Sequence, residues 1–135
     1  MNTMDLTALI PAEDVRDAAR AEALATLAQL RWHYEVGGLT LPDGARFEGA
    51  RVATDRDSQQ RIAMVAQAGT ARRWKTQTGW LTLSPAALQD LAERVALHVQ
   101  AGFDAEHQVA GQIATAPAPE ALDLTAAFTA ALLAP

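Results

Sequence analysis

The chain has 135 residues, half of them hydrophobic and a fifth charged. That suits one globular domain burying roughly two-thirds of its unfolded surface, and it argues against a disordered chain. With no cysteine there is no disulfide, no thiolate nucleophile and no Cys-based zinc site, and no apolar run approaches the ~18 residues of a membrane span. The net charge of −5 is unevenly spread, −4 over residues 1–45, +4 over 46–75 and −5 over 76–135. A basic middle between acidic ends suggests internal complementarity or a polar partner surface. The first fifteen residues, MNTMDLTALIPAEDV, lack the basic-then-apolar pattern of a secretory leader.

The first predicted element is a helix over residues 12–31. Pro11 suits a helix start, and Glu13, Asp14 and Asp17 suit its positive end. Val15, Ala18, Ala19, Leu24, Leu27 and Leu30 form its apolar stripe.

Residues 31–52, RWHYEVGGLTLPDGARFEGARV, alternate and are rich in turn formers. Pro42-Asp43-Gly44 predicts a hairpin between GLTL and ARFE. Gly37-Gly38 predicts a bend into the first strand, and Glu48-Gly49 a second turn leading to ARVA.

A helix start follows in ATDRDSQQRI, residues 53–62. Thr54 and Asp57 have capping-box spacing, and Asp55 is the alternative cap. Asp55 and Asp57 also form an Asp-x-Asp pair of the kind that holds a metal or sugar nucleotide, but no further carboxylate or His lies nearby to complete such a site. The helix runs to about residue 68, with Gln59, Ile62, Ala63 and Ala66 on one face, and Gly69 ends it.

RRWKTQTGWLTL predicts a second hairpin. A three-residue loop, Gln77–Gly79, sets Thr76 against Trp80 and Trp74 against Thr82, with both tryptophans on one face. Ser84-Pro85 then opens a helix of about 30 residues. Its stripe is Leu88, Leu91, Val95, Val99 and Phe103, continued by Val109 and Ile113, and Asp90 and Arg94 form an i,i+4 pair. Gly102 and Gly111 are the positions where it would bend. Pro117 and Pro119 make a stiff linker, and residues 120–133 a short apolar helix with Leu122, Leu124, Phe128, Leu132 and Leu133. That helix is a lid on the core or a docking peptide for a partner.

The expected architecture is therefore α+β, two hairpins packed against helices with a long helix in the C-terminal half. Residues 1–30 form an N-terminal helix, 31–115 the core, and 116–135 a linker and apolar helix.

No catalytic constellation is legible. There is no Gly-x-Ser-x-Gly and no phosphate loop. His98 and His107 stand nine residues apart on one predicted helix, half a turn out of phase, so they cannot share an ion. No enzyme activity, cofactor or metal is expected, and His98 reads as a structural histidine beside the stripe. The residues expected at a partner surface are Arg73, Trp74, Trp80, Phe128 and Leu132. Arg72, Arg73, Trp74 and Lys75 also combine charge with a stacking surface, the pattern of a single-strand nucleic-acid binder, which the acidic balance of the whole chain opposes.

TDRDSQ at a helix start, the WK…GW hairpin, and HVQAGF followed by an acidic pair together resemble a bacteriophage tail-associated domain of unknown function, over about residues 31–115. It occurs in small tail-fibre assembly-type proteins and at the ends of longer tail proteins. The resemblance implies a binding protein rather than an enzyme, acting as an assembly factor or chaperone on a tail or fibre subunit. A permanent place in the virion tail or fibre attachment is the alternative. It implies the host bacterial cytoplasm during assembly, or the virion tail, as the location. A tail protein or a second copy of the chain would be the partner.

Overall fold

The computed structural model describes residues 11–134. Most of the segment read above for a leader lies outside them. The element order is α1 (Ala12–Val36), β1 (Leu39–Thr40), β2 (Arg51–Val52), α2 (Arg56–Ala68), β3 (Arg72–Thr76), β4 (Gly79–Leu83), α3 (Pro85–Thr115) and α4 (Leu124–Leu133), with a short 3-10 turn at Pro119–Ala121 before α4. The fold is mixed helix and sheet, with two separate antiparallel ladders of two strands, β1–β2 and β3–β4. It divides into two compact units, a mixed unit of residues 32–103 and a helical unit of residues 11–31 with 104–134.

In the mixed unit, Leu41, Phe47, Val52, Ile62, Leu83, Leu88 and Leu91 are buried in one apolar cluster. Two corrections concern its first half. Residues 32–36, expected as strand, are the last turn of α1. The buried positions Ala23, Leu27 and Glu35 fall at multiples of four residues, a helical rather than a strand period. ARFE is also not a strand. The Gly44 carbonyl accepts from the Glu48 N–H and the Pro42 carbonyl from the Gly49 N–H, so residues 44–49 coil into a turn that delivers Phe47 to the core. The turn needs its glycine: Gly49 sits at φ +65, and a Cβ there would stand 2.5 Å from the Asp43 carboxylate. Glu48-Gly49 does lead directly into β2, which pairs Leu39 with Val52 and Thr40 with Arg51.

α2 is capped by Asp55, whose carboxylate accepts from the Ser58 N–H at 3.3 Å, and Gly69 closes it in the left-handed conformation at φ 70. Of the two caps left open by the sequence, Asp55 is the one used. Its face is buried at Ile62 and Ala66, while Ala63 is exposed.

The second hairpin forms, but one residue out of the expected register. Thr76 pairs with Gly79, so the loop is Gln77-Thr78, and Trp74 stands opposite Leu81 and Trp80 opposite Lys75. The shift puts the tryptophans on opposite faces. Its physical reason is visible at the loop: the buried Thr76 hydroxyl donates to the Gly79 carbonyl at 2.7 Å and accepts from the Thr78 N–H at 3.2 Å, closing a tighter turn. The core face then carries Thr76, Leu81 and Leu83, all buried.

α3 starts where expected, with the Ser84 hydroxyl accepting from the Ala87 N–H at 3.1 Å, and runs unbroken through Gly102 and Gly111. Leu88, Leu91 and Val95 are buried and Phe103 is exposed. The helical unit buries Ala23, Leu27, Ala105, Val109, Ile113, Pro119 and Phe128. Val15 and Leu24, expected on the α1 stripe, are exposed instead. Asp123 caps α4 by accepting from the Ala126 N–H at 3.1 Å. No helix among the described residues is long and apolar enough to cross a membrane.

Candidate functional site

A dense polar cluster lies where α1 ends and α2 begins. A helix leaves its last carbonyls without partners, and here side chains from distant segments supply them. Thr54, fully buried, donates its hydroxyl to the Glu35 carbonyl at 2.6 Å and accepts from the Gly38 N–H at 2.9 Å. His98 Nε2 lies 3.0 Å from the Tyr34 carbonyl and 3.2 Å from that of Glu35. Both partners are acceptors, so Nε2 carries the hydrogen. Arg51 reaches the Gly37 carbonyl at 2.6 Å.

The Glu35 carboxylate, at 2 % exposure, accepts from Arg56 Nε at 3.2 Å and Gln59 Nε2 at 3.0 Å. Gln59 also donates to the Thr54 carbonyl at 2.8 Å. Thr54, Arg56 and Gln59 of the TDRDSQ stretch therefore converge on one residue of α1. Asp55 caps the helix, and Asp57 is exposed on its first turn. The stretch is a fastening between elements, joining the start of α2 to the end of α1. Arg56 also lies over the Trp32 ring, 5.1 Å from its centre. The Tyr34 ring packs on His98 with centroids 4.3 Å apart, and burial pushes the Tyr34 hydroxyl pKa up.

Sequence reasoning missed Glu35 and Tyr34. The signal was available: Glu35 is four residues past Arg31 and eight past Leu27, a carboxylate in phase with a buried stripe, which demands partners elsewhere in the chain.

The expected partner-surface residues fall into three settings. Arg73 and Trp80 share the solvent face of the β3–β4 hairpin, and Trp80 is 67 % exposed. Trp74 lies half-buried on the other face, packed against the apolar cluster. Phe128 is buried in α4 of the helical unit, where Leu132 is half-buried. Two shallow grooves in the mixed unit are apolar. One of about 270 Å³ runs between α2 and α3 over Ile62, Ala63, Ala92 and Val99, and one of about 300 Å³ lies beside Leu39, Pro42 and Leu97. Among the described residues no three His, Asp or Glu side chains gather as a metal site would require.

Residues 18–130 match the family described as a domain of unknown function, DUF4376. The chain belongs to that family. The DUF4376 match covers all of the mixed unit and much of the helical one, including the Glu35 cluster, the hairpin and most of α4. No curated protein and no solved structure matches the chain.

Proposed function

We propose that the protein is a bacteriophage tail-fibre-associated assembly factor, binding a tail or fibre subunit in the host bacterial cytoplasm. The observation that carries the binding role is α4. From Leu124 to Leu133 it holds no charged residue, and its only polar side chains are Thr125 and Thr129. Phe128 is buried while Leu133 is 81 % exposed. A helix apolar on every side and still in contact with water is suited to an interface. The tail context is supported by the TDRDSQ, WK…GW and HVQAGF motifs. In this role α4 would cover apolar surface on a fibre subunit until the subunit oligomerises, as an amphipathic or apolar helix laid in a groove.

The test is co-expression with a tail-fibre subunit, followed by size-exclusion chromatography with light scattering. A stable complex, or soluble fibre obtained only in the presence of this protein, is expected. Leu133→Glu, at an exposed position, should leave folding intact and abolish the complex. A fibre subunit that folds alone and never associates overturns the assembly role. Retention in purified particles would instead identify a permanent tail component.

A further inference from the structure

Among the described residues β3 and β4 pair only with each other, and the Gln77 N–H just past β3 donates to the Arg51 carbonyl of β2 at 2.8 Å, so β3 keeps an outer edge up to Lys75. A two-residue loop closes on a hydrogen-bonded pair, here Thr76 with Gly79. Alternation along the ladder then turns the backbone N–H and C=O groups of Arg73 and Lys75 outward, away from β4. No hydrogen bond to those groups occurs among the described residues. The side chains of Arg73 and Lys75, two residues apart, stand on the solvent face beside Trp80 and Thr82.

Charge sets this edge apart. Residues 72–83 hold Arg72, Arg73 and Lys75 and no carboxylate, in a chain whose net charge is −5. Among the described residues Arg20, Arg31, Arg46, Arg56 and Arg94 pair with a carboxylate, while Arg16, Arg51 and Arg61 stand singly elsewhere in the sequence without one. Arg72, Arg73 and Lys75 have no such partner among the described residues. We propose that the outer edge of β3 accepts an extended acidic segment of a partner protein as a third strand, with carboxylates at alternate positions opposite Arg73 and Lys75.

Cross-strand neighbours lie about 5 Å apart, within reach of an ion pair, so the spacing of the two cations calls for acid-x-acid in the incoming segment. The exposed indole of Trp80, directly across from Lys75, adds apolar area on the same face. A second copy is the wrong occupant, because two such edges would set cation against cation. A nucleic-acid strand would leave the edge amides without regular partners, would find one indole rather than a row of stacking platforms, and would meet the chain's net negative charge. The surface uses no residue of α4, so it does not rest on the reading of that helix as a fibre contact.

The probe is a labelled peptide of alternating Glu and Thr, titrated into the full chain by fluorescence anisotropy, beside a Lys–Thr peptide and an oligothymidylate of matched charge. The Glu–Thr peptide is expected to bind in a salt-sensitive manner and to slow hydrogen exchange at the amides of Arg73 and Lys75. Binding should weaken at least about tenfold in R73E/K75E. R73A/K75A, which introduces no new charge, serves if the reversal disturbs folding. Absence of binding, binding indifferent to these variants, unprotected edge amides, or tighter binding of oligothymidylate would each overturn the proposal.

Discussion

Arg56 Nε stands 3.2 Å from a Glu35 oxygen, yet the two groups live in different media: the carboxylate side chain is 2 % exposed and the guanidinium 60 %. The carboxylate depends on its partners for solvation, whereas the arginine does not. Arg56→Ala should therefore cost only about 1 kcal/mol in urea unfolding, because water can partly replace it. In a Glu35→Gln background the same change should cost close to nothing. Equal costs in both backgrounds would show that the two residues are not coupled.

The two aspartates of the α2 start should separate cleanly. Asp55→Ala removes the cap and is expected to lower stability by about 1 kcal/mol. Asp57→Ala should stay within about 0.5 kcal/mol, as for other exposed positions. Thermal melts of the two variants decide this, and a costlier Asp57→Ala would restore the capping box as the working arrangement.

Trp74 and Trp80 differ by a face of the hairpin, and their substitutions should differ accordingly. Trp74→Ala is expected to cost about 2 kcal/mol or more, since the ring packs on the buried cluster. Trp80→Ala should cost about 0.5 kcal/mol or less. Iodide quenching supplies an independent check: losing Trp80 should remove a strongly quenched component of the emission, and losing Trp74 a weakly quenched one.

Acid should weaken the fold through two identified carboxylates. The hydrogen bond from the Ser58 hydroxyl holds Asp55 below its ordinary pKa. Burial pushes Asp90 up, but hydrogen bonds from Arg46 and Arg94 outweigh it and leave Asp90 lowered as well. A carboxyl lowered in the folded state contributes its full stabilisation above the unfolded pKa of about 3.9, and loses it as pH falls through the lower folded value. Denaturant midpoints should thus fall below about pH 4, and less steeply in Asp90→Asn. An unchanged slope in that variant would remove Asp90 from the account.

Much of the fold is written in local signals. Gly69 and the Ser84-Pro85 start carry their own conformational instructions, so the end of α2 and the start of α3 follow from single residues. The α3 stripe follows from periodicity. What was illegible depended on partners far along the chain. Residues 32–36 look strand-like in isolation and become helix where Thr54, Arg56, Gln59 and His98 meet them. The hairpin register turned on one buried hydroxyl, Thr76, that composition does not distinguish from the exposed Thr78 and Thr82. Arg73 and Trp80 stand on the solvent face. Their separation from Trp74 was illegible, because a slip of one residue exchanges faces.

The side-chain caps at the end of α1 also impose an order on folding during synthesis. Val36 leaves the ribosome well before Thr54, and Thr54 well before His98. Until His98 has been made, the Tyr34 carbonyl has the local Gly37 N–H, at 3.4 Å, but lacks the closer bond that His98 adds at 3.0 Å. The last turn of α1 is therefore expected to be completed after translation has passed the middle of α3, although its own residues were among the earlier ones made.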